Sequence, residues 1–148
     1  MQLDRATLEA IIRDAVKAEL AAQATAAPRQ LDPSGVIGIN PDKIPLEPFP
    51  FPIDAQRVQL VDVLSLDESP RLGCGLMEME TTAFEWTLTY DEIDYVISGT
   101  LDIVVDGRTV RATAGQIIFI PKNTKIHFST PDKVRFMYVC YPANWADQ

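Results

Sequence analysis

The sequence of 148 residues has few of the residue types that build common functional sites. It contains one histidine and two cysteines, Cys74 and Cys140, without a Cys-x-x-Cys spacing. A disulfide framework or a zinc site needs more ligands than these, so neither is expected. No apolar run approaches the length of about eighteen residues that a membrane span requires, and the N-terminus alternates charged with apolar residues where a signal peptide would be apolar. These absences predict a cytoplasmic protein without a membrane contact.

Basic residues are also scarce. The sequence contains 13 Lys and Arg residues and 21 Asp and Glu residues, which gives a net charge of −8. A field of this sign repels a phosphate backbone, so we expect no nucleic-acid partner. The glycine-rich motifs that cradle nucleotide phosphates are absent as well.

Residues 1–23 predict an amphipathic helix. Within residues 3–22 the apolar side chains recur at helical spacing, and Asp4 can cap the first turn. The stripe consists of Leu8, Ile11, Ile12, Ala15, Val16 and Leu20. A helix of about five turns is not stable alone in water, so we expect the apolar stripe to be buried against another surface. Its own domain, a symmetry mate or a separate docking partner would each provide one.

Residues 24–56 predict a proline-rich linker or strap. Seven of the eleven prolines lie between Ala24 and Asp54. Proline removes backbone donors, which disfavours a regular helix or a central strand here. The segment from Ala24 to Pro33 is expected to be mobile. Farther on, prolines alternate with Phe49 and Phe51, which predicts an extended strap with both rings against the following domain.

Residues 57–148 predict an all-β domain. The pattern is a series of strands of about four to ten residues, rich in β-branched and aromatic types and separated by turn residues. Asp106-Gly107 between two such strands is a strong signal for a two-residue hairpin. About eight strands at this turn frequency indicate a closed barrel or a jelly-roll sandwich.

Two spacings in this domain resemble the signature of the cupins. Six residues separate Glu92 from Gly99, and five residues separate Gly115 from Pro121. In cupins these positions belong to two motifs that also carry metal-binding histidines. The resemblance implies a double-stranded β-helix, that is, a jelly-roll barrel. It also implies a homodimer as the usual assembly.

The histidines of that signature are missing. The first motif would place them at Trp86 and Leu88, or one residue earlier at Glu85 and Thr87. In the second motif the ligand position is Ile126, and His127 lies one residue beyond it. On a strand an offset of one residue turns the side chain to the opposite face, unless a bulge restores the register. We therefore expect no transition metal, whereas Mg²⁺ held by carboxylates and water is compatible with the sequence.

Strand alternation places Glu92 inside the barrel. If the period of two is unbroken, one face carries Trp86, Leu88, Tyr90, Glu92 and Asp94, and the other carries Ile93, Tyr95 and Ile97. A buried carboxylate needs a partner. The candidates are Tyr90, Asp94, Lys125, His127 and Tyr138. Paired carboxyls suit general acid–base chemistry or cation binding, while a purely structural role for Glu92 is the alternative.

A narrower resemblance covers about residues 58–145. The unusual pieces are Phe84-x-Trp86-Thr87, Tyr90-Asp91-Glu92-x-Asp94-Tyr95 and Lys125-Ile126-His127-Phe128. They resemble the EutQ family of ethanolamine-utilisation proteins, which also lack the cupin metal ligands. The resemblance implies an acetate kinase activity that uses ATP with Mg²⁺. Glu92, Asp94, Tyr90 and His127 are then candidate catalytic residues, with Glu92 and Asp94 as candidate Mg²⁺ ligands, and Trp86, Lys122, Lys125 and Tyr138 are candidate substrate-binding residues.

The helix of residues 3–22 is similar to short helices that deliver cargo to bacterial microcompartment shells. The resemblance therefore implies a shell protein as partner. Two alternatives compete with an acetate kinase. One is a metal-free barrel that binds a small molecule or assembles with a shell without chemistry. The other is a metal-independent reaction such as isomerisation with Glu92 as the base.

Overall fold

A computed structural model of the chain describes residues 4–50 and 57–147, and the side chains of residues 24–26 lie outside that description. The chain divides into two compact units, residues 1–44 and 45–148. Phe51, which the sequence predicts to pack on the domain, falls outside the described residues.

The first unit begins with helix α1, Arg5–Ala26, which extends beyond the predicted end. Asp4 caps it as predicted, because its two carboxylate oxygens accept from the Thr7 backbone N–H and hydroxyl at 2.9 Å each. The apolar stripe is exposed, by 47% at Leu8 and by 60% at Leu20. In the described residues no helix has both the length and the apolar character to cross a bilayer.

A short hairpin follows α1 within the same unit. Strands β1, Arg29–Leu31, and β2, Ile37–Ile39, pair antiparallel. A tight turn joins them, in which Asp32 accepts from the backbone N–H of Ser34 and of Gly35. The proline-rich segment thus contains a two-stranded hairpin, and its beginning belongs to α1 up to Ala26, where the sequence predicts a mobile segment without regular helix.

The second unit is a single antiparallel sheet that surrounds a hydrophobic core. Its strands in the described part of the chain are β3 (Glu47–Pro48), β4 (Val58–Asp62), β5 (Gly73–Leu88), β6 (Asp91–Val105), β7 (Arg108–Thr113), β8 (Ile117–Ile120) and β9 (Thr124–Tyr141). They are ordered β3-β4-β5-β9-β6-β7, and β8 pairs with β6. The predicted hairpin at Asp106-Gly107 joins β6 to β7, with Val105 opposite Arg108. The core includes Val58, Met79, Leu88, Val96, Leu101, Val134 and Phe136.

Three strands are far longer than the sequence predicts. β5, β6 and β9 contain 16, 15 and 18 residues, whereas separate strands of about four to ten were expected. The register between β5 and β9 shifts between Glu80 and Thr82, opposite Pro131. A bulge tolerates proline and bends a strand without ending it. Residues typical of turns therefore lie within these strands and do not end them, and the prediction of shorter strands is wrong.

A second irregularity requires a glycine from the predicted signature. Gly99 adopts a φ of +80°, and a Cβ there would overlap the Lys133 carbonyl on β9. The register between β6 and β9 shifts beside it. Only glycine allows both the positive φ and this close approach of two backbones. The long strand β6 can therefore turn from one partner segment of β9 to the next at this point.

Candidate functional site

Strand β6 buries two carboxyl groups on its inner face. Glu92 is 5% exposed and Asp94 is fully buried, while Ile93 and Tyr95 are 46% and 40% exposed on the outer face. Glu92 lies opposite Cys140 on β9, and Asp94 is flanked by β8 and β9. The predicted alternation of this strand is confirmed. An unusual inversion results, with acids inside and large apolar side chains outside.

Glu92 lines a small cavity with a volume of about 20 Å³. The cavity is lined by Phe49, Leu60, Met77, Phe84, Trp86, Tyr90, Glu92, Phe128, Tyr138 and Trp145. Among these described lining residues Glu92 is the acid, and none is a lysine, arginine or histidine. The site therefore combines aromatic walls with one acidic group.

Asp94 lies two residues from Glu92 on the same face of β6. Both of its carboxyl oxygens are buried, and neither has a hydrogen-bond partner among the described residues. Burial raises the pKa of Glu92 to about 8, and burial followed by the charge of Glu92 raises the pKa of Asp94 well above its usual value.

The two acids differ in their access to the cavity. Glu92 is among the residues that line it, whereas Asp94 is not. We call Glu92 and Asp94 together the carboxyl pair.

Two tyrosine hydroxyls lie on the wall of the cavity. The indole N–H of Trp86 donates to the Tyr90 hydroxyl at 2.9 Å. The Tyr138 hydroxyl donates to Asp62 Oδ1 at 2.7 Å. Burial, followed by the charge of Glu92 at Tyr90 and of Asp62 at Tyr138, raises both tyrosine pKa values above their usual range. Both hydroxyls consequently stay protonated.

Gly75 on β5 makes room for the Tyr138 ring. The two residues face each other in the β5–β9 register. A Cβ at Gly75 would overlap the Tyr138 ring and would lie 2.6 Å from the Val61 carbonyl oxygen. The missing side chain of this glycine thus allows Tyr138 to reach Asp62.

The remaining walls are aromatic rings from distant parts of the chain. Phe49 of the strap is buried, and its ring centroid lies 5.7 Å from Phe84 and 5.6 Å from Trp86. Trp145, near the C-terminus, lies 6.3 Å from the rings of both Trp86 and Tyr90, and its indole N–H donates to Asp62 Oδ1 at 3.3 Å. The prediction that the Phe49 ring packs on the domain is confirmed.

The family of the chain follows from comparison with known proteins. A family model described as "Ethanolamine utilisation protein EutQ" matches residues 3–147. The chain belongs to the EutQ family. A relative from Clostridioides difficile, named "Acetate kinase EutQ", is 67% identical over 87 residues, which are 59% of this chain and 55% of the relative. The chain thus spans little more than half the length of that relative.

Solved structures agree with this family and with the predicted fold. The structure of the Clostridium difficile EutQ protein matches with a TM-score of 0.74 and 51% identity, and the match covers 79% of this chain and 95% of that one. The cupin domain of Schizosaccharomyces pombe Cnp3 matches with a TM-score of 0.58 at 14% identity, covering 74% of this chain and 77% of that one. The second likeness concerns the fold alone. The predicted cupin fold is confirmed.

Three residues that the sequence nominated for the site lie outside the EutQ cavity. Lys125 and His127 are on the outer face of β9, with their nitrogens 3.0 and 3.9 Å from Glu85 oxygens. Lys122 is exposed, and its backbone N–H donates to Asp91 at 2.7 Å. No bulge turns His127 inward, because its neighbour Ile126 is buried with 1% exposure. The structure brings Trp86, Tyr90, Glu92, Asp94 and Tyr138 together instead.

The residues of this EutQ chain do not suit a transition metal. The positions that carry histidine ligands in other cupins hold Trp86, Leu88 and Ile126, whose side chains offer no suitable donor. In residues 4–50 and 57–147 no group of three or more His, Cys, Asp or Glu side chains is arranged to hold a metal ion. The carboxyl pair does suit Mg²⁺ in part, since this ion commonly takes one or two carboxylates and completes its shell with phosphate oxygens and water.

Asp62, Gly75 and Trp145 belong to the site although the sequence did not indicate them. Asp62 and Trp145 are separated by 83 positions and meet through one hydrogen bond. Asp62 and Tyr138 are 76 positions apart. Periodicity and motif spacing report only on near neighbours, so no signal of that kind identifies these contacts. Gly75 sits in a Gly-Cys-Gly sequence within a strand, and a strand glycine is a weak sign of a close approach.

Proposed function

We propose that the chain catalyses phosphoryl transfer between ATP and acetate at the cavity above the carboxyl pair. The observation that carries the proposal is the pair itself, two buried acids of which Glu92 lines a small cavity. Natural proteins rarely keep buried acids without a use, because an apolar interior penalises the charged form. The name of the C. difficile relative supports this choice of reaction. The proposed setting is ethanolamine breakdown, which the family description names.

In the proposed reaction an acetate oxygen attacks the γ-phosphorus of ATP. A new oxygen–phosphorus bond forms, the bond to the bridging oxygen breaks, and ADP leaves with the electron pair. Acetate is ionised at neutral pH, so no general base is needed. The chain would instead orient the reactants and exclude water. The aromatic walls at Trp86 and Phe84 offer an apolar surface for the acetate methyl group.

Mg²⁺ would be held by Glu92 and Asp94, together with phosphate oxygens and water. The ion supplies positive charge that neutralises the phosphoryl oxygens. The pair must release its proton to bind a cation, which links Mg²⁺ affinity to pH. No Lys, Arg or His lines the described part of the cavity, so the phosphates have no cationic side chain there.

The test is acetyl phosphate formation by the full chain with ATP, acetate and Mg²⁺. Glu92→Gln is expected to lower the rate roughly a hundredfold, as the loss of a charge-stabilising group does in other enzymes. Glu85→Gln, an exposed acid on β5, is the matched control and should retain the wild-type rate. A rate that Glu92→Gln leaves unchanged would refute the proposal.

We further propose that α1 docks on a shell protein of a bacterial microcompartment. The support is its exposed apolar stripe, since an uncovered stripe of this length is unusual. Co-sedimentation with purified shells would test it. Ile12→Lys, in the stripe, is expected to abolish co-sedimentation, whereas Ala10→Lys on the opposite face of α1 should preserve it. Equal binding of both variants would exclude the stripe as the docking surface.

We also propose that two copies associate through the outer face of β6 and β8. Ile93 lies opposite Phe119, and Tyr95 lies opposite Ile117, so four exposed large side chains form one apolar area. Monomers rarely expose such a patch on a sheet. Sedimentation equilibrium should give a dimer for the wild type and a monomer for Phe119→Lys. The control Leu72→Lys changes an exposed apolar residue elsewhere and should stay dimeric.

A further inference from the structure

The cavity is too small for the substrate proposed above. Its volume of about 20 Å³ has room for a single water molecule. Acetate has two carbons and two oxygens, and the γ-phosphate of ATP has to reach it. Part of the wall must therefore move, an inference that rests on the proposed function. Which part can move follows from how each wall residue is held.

Most of the wall belongs to strands that cannot move alone. The lining residues on β4, β5, β6 and β9 are Leu60, Met77, Phe84, Trp86, Glu92, Phe128 and Tyr138. These strands pair with one another across the sheet. Moving one strand would leave backbone donors and acceptors of its neighbour without partners, which is costly in a protein interior. This part of the wall is rigid.

Phe49 and Tyr90 lie outside these strands, but they are also fixed. The backbone N–H of Phe49 donates to the Val58 carbonyl of β4 at 3.0 Å, and its ring is buried. Tyr90 occupies the short turn between β5 and β6, is buried and accepts a hydrogen bond from Trp86. Displacing either ring would expose a large apolar surface to water. Neither residue is therefore a good candidate for movement.

Trp145 is held differently. It begins a 3₁₀ helix, Trp145–Asp147, that follows the last strand, and we call this segment the Trp145 turn. Within it the Asp147 N–H donates to the Asn144 carbonyl at 3.0 Å, which is a local hydrogen bond. Trp145 itself is half-buried and contacts the barrel with its side chain. The Trp145 turn can therefore swing away while every strand stays paired.

The Trp145 turn has a fixed root. Ala143, which precedes it, is buried. A Cβ on Gly73 of β5 would lie 3.3 Å from the Ala143 carbonyl oxygen and 3.5 Å from its Cα, so the backbone at Ala143 packs closely on this glycine. Asn144, between the buried Ala143 and the half-buried Trp145, is exposed. The position of Asn144 is suited to a hinge.

The tip of the Trp145 turn is attached by a contact that can be released. The indole N–H of Trp145 donates to Asp62 Oδ1 at 3.3 Å, longer than the usual distance of about 2.9 Å. Asp62 is exposed, so water can replace the indole as a donor. The same Asp62 oxygen accepts from the Tyr138 hydroxyl at 2.7 Å. Tyr138 thus keeps Asp62 in place when Trp145 leaves.

We propose that the Trp145 turn is a lid over the cavity, with Ala143 as its root and Asp62 as its latch. In the closed state Trp145 covers Trp86 and Tyr90. Release from Asp62 lets Trp145 swing outward, which makes room for acetate. Reclosure keeps bulk water from the γ-phosphate. Water is a competing acceptor, because attack by its oxygen on the γ-phosphorus releases ADP and forms inorganic phosphate and a proton.

The first test observes the lid directly, in the full chain without nucleotide. The chain has two tryptophans, so Trp86→Phe leaves Trp145 as the reporter of acrylamide quenching. In this background Asp62→Ala should raise the quenching constant severalfold, because the latch is gone. Asp62→Asn keeps an acceptor oxygen and should leave the constant unchanged. Equal quenching of the Ala and Asn variants would overturn the proposal.

A control separates the latch from the other role of Asp62. Tyr138→Phe removes the hydroxyl that donates to Asp62 and leaves the indole of Trp145 in place. In the Trp86→Phe background it should not raise the quenching of Trp145. Quenching as strong as in Asp62→Ala would mean that Tyr138, and not the indole contact, holds the lid. Circular dichroism of each variant confirms that the barrel is folded.

The second test compares the amounts of ADP and acetyl phosphate formed from ATP, acetate and Mg²⁺. The two amounts should be equal in the wild type and in Asp62→Asn. Asp62→Ala should release an excess of ADP, because water reaches the γ-phosphate through the open lid. Equal amounts in Asp62→Ala would refute the exclusion of water. A wild type that forms no acetyl phosphate would refute the kinase reaction, whereas the quenching measurement would still decide whether the Trp145 turn is a lid.

Discussion

The two faces of strand β6 follow opposite rules. The inner face carries Glu92 and Asp94 in a protein core, whereas the outer face exposes Ile93 and Tyr95. An ordinary half-buried strand has the reverse arrangement, with apolar residues inside and polar residues outside. The inner acids reduce stability, which a ligand at the proposed site would explain, and the proposed interface between two copies would cover the outer apolar residues. In these proposals the inner face of β6 serves ligand binding, and its outer face serves the association of two copies.

The largest difference between the two faces should be seen in the pH dependence of stability, to which the buried acids of the inner face contribute. The pKa of Glu92 is raised to about 8 by burial, while in the unfolded chain a glutamate has a pKa of about 4. Between these pH values the native chain holds a proton that the unfolded chain has released. The free energy of unfolding should therefore fall as the pH rises from about 4 to about 8, by a few kcal/mol in total.

Urea denaturation of the wild type and of Glu92→Gln across this range would test the slope. Glutamine does not titrate, so the variant should show a flatter profile. Asp4, Asp32 and Asp102, whose pKa values are lowered by hydrogen bonds, act with the opposite sign below about pH 4 and are common to both proteins. Parallel profiles for the two proteins would show that Glu92 does not hold its raised pKa.

A smaller effect is expected when the interior of the sheet beside the Tyr138 ring is overfilled. Gly75→Ala places a methyl group against the Tyr138 ring and the Val61 carbonyl, and neither can move freely. The free energy of unfolding should fall by about 1 to 3 kcal/mol. Gly38→Ala is the matched control, because a Cβ there meets ordinary contacts at 3.8 Å from Gln30. A Gly75→Ala protein as stable as the wild type would mean that Tyr138 readily leaves its position.

The smallest effect should follow from a change on the outer face of β9. His127 is half exposed and lies 3.9 Å from Glu85. His127→Gln should change the free energy of unfolding by no more than about 0.5 kcal/mol, as exposed substitutions usually do. Acetyl phosphate formation should remain at the wild-type level. A large loss of this activity would show that His127 reaches the cavity in solution.

The sequence predicts the inner and outer sets of β6 correctly because side chains alternate strictly along a strand. The signature glycine at position 99 and the Asp106-Gly107 hairpin are likewise local features, and they are found where expected. The strand ends were less predictable. A proline in a bulge and a proline in a turn look alike in sequence, so the pattern does not show that β9 continues past Pro131.

The sequence alone determined the family, the cupin fold and the pair of acids on one face, since these depend on spacing along the chain. Only the tertiary structure decided what surrounds the acids. It brought Trp145 to the cavity wall and Asp62 into contact with that wall, although the two are 83 positions apart, and it left Lys125 and His127 outside. The reason is geometric, because a sheet that curls around a core joins side chains that no local pattern connects. The resulting cavity has aromatic walls and one acid, and the candidate substrate-binding residues Lys122 and Lys125 do not line it.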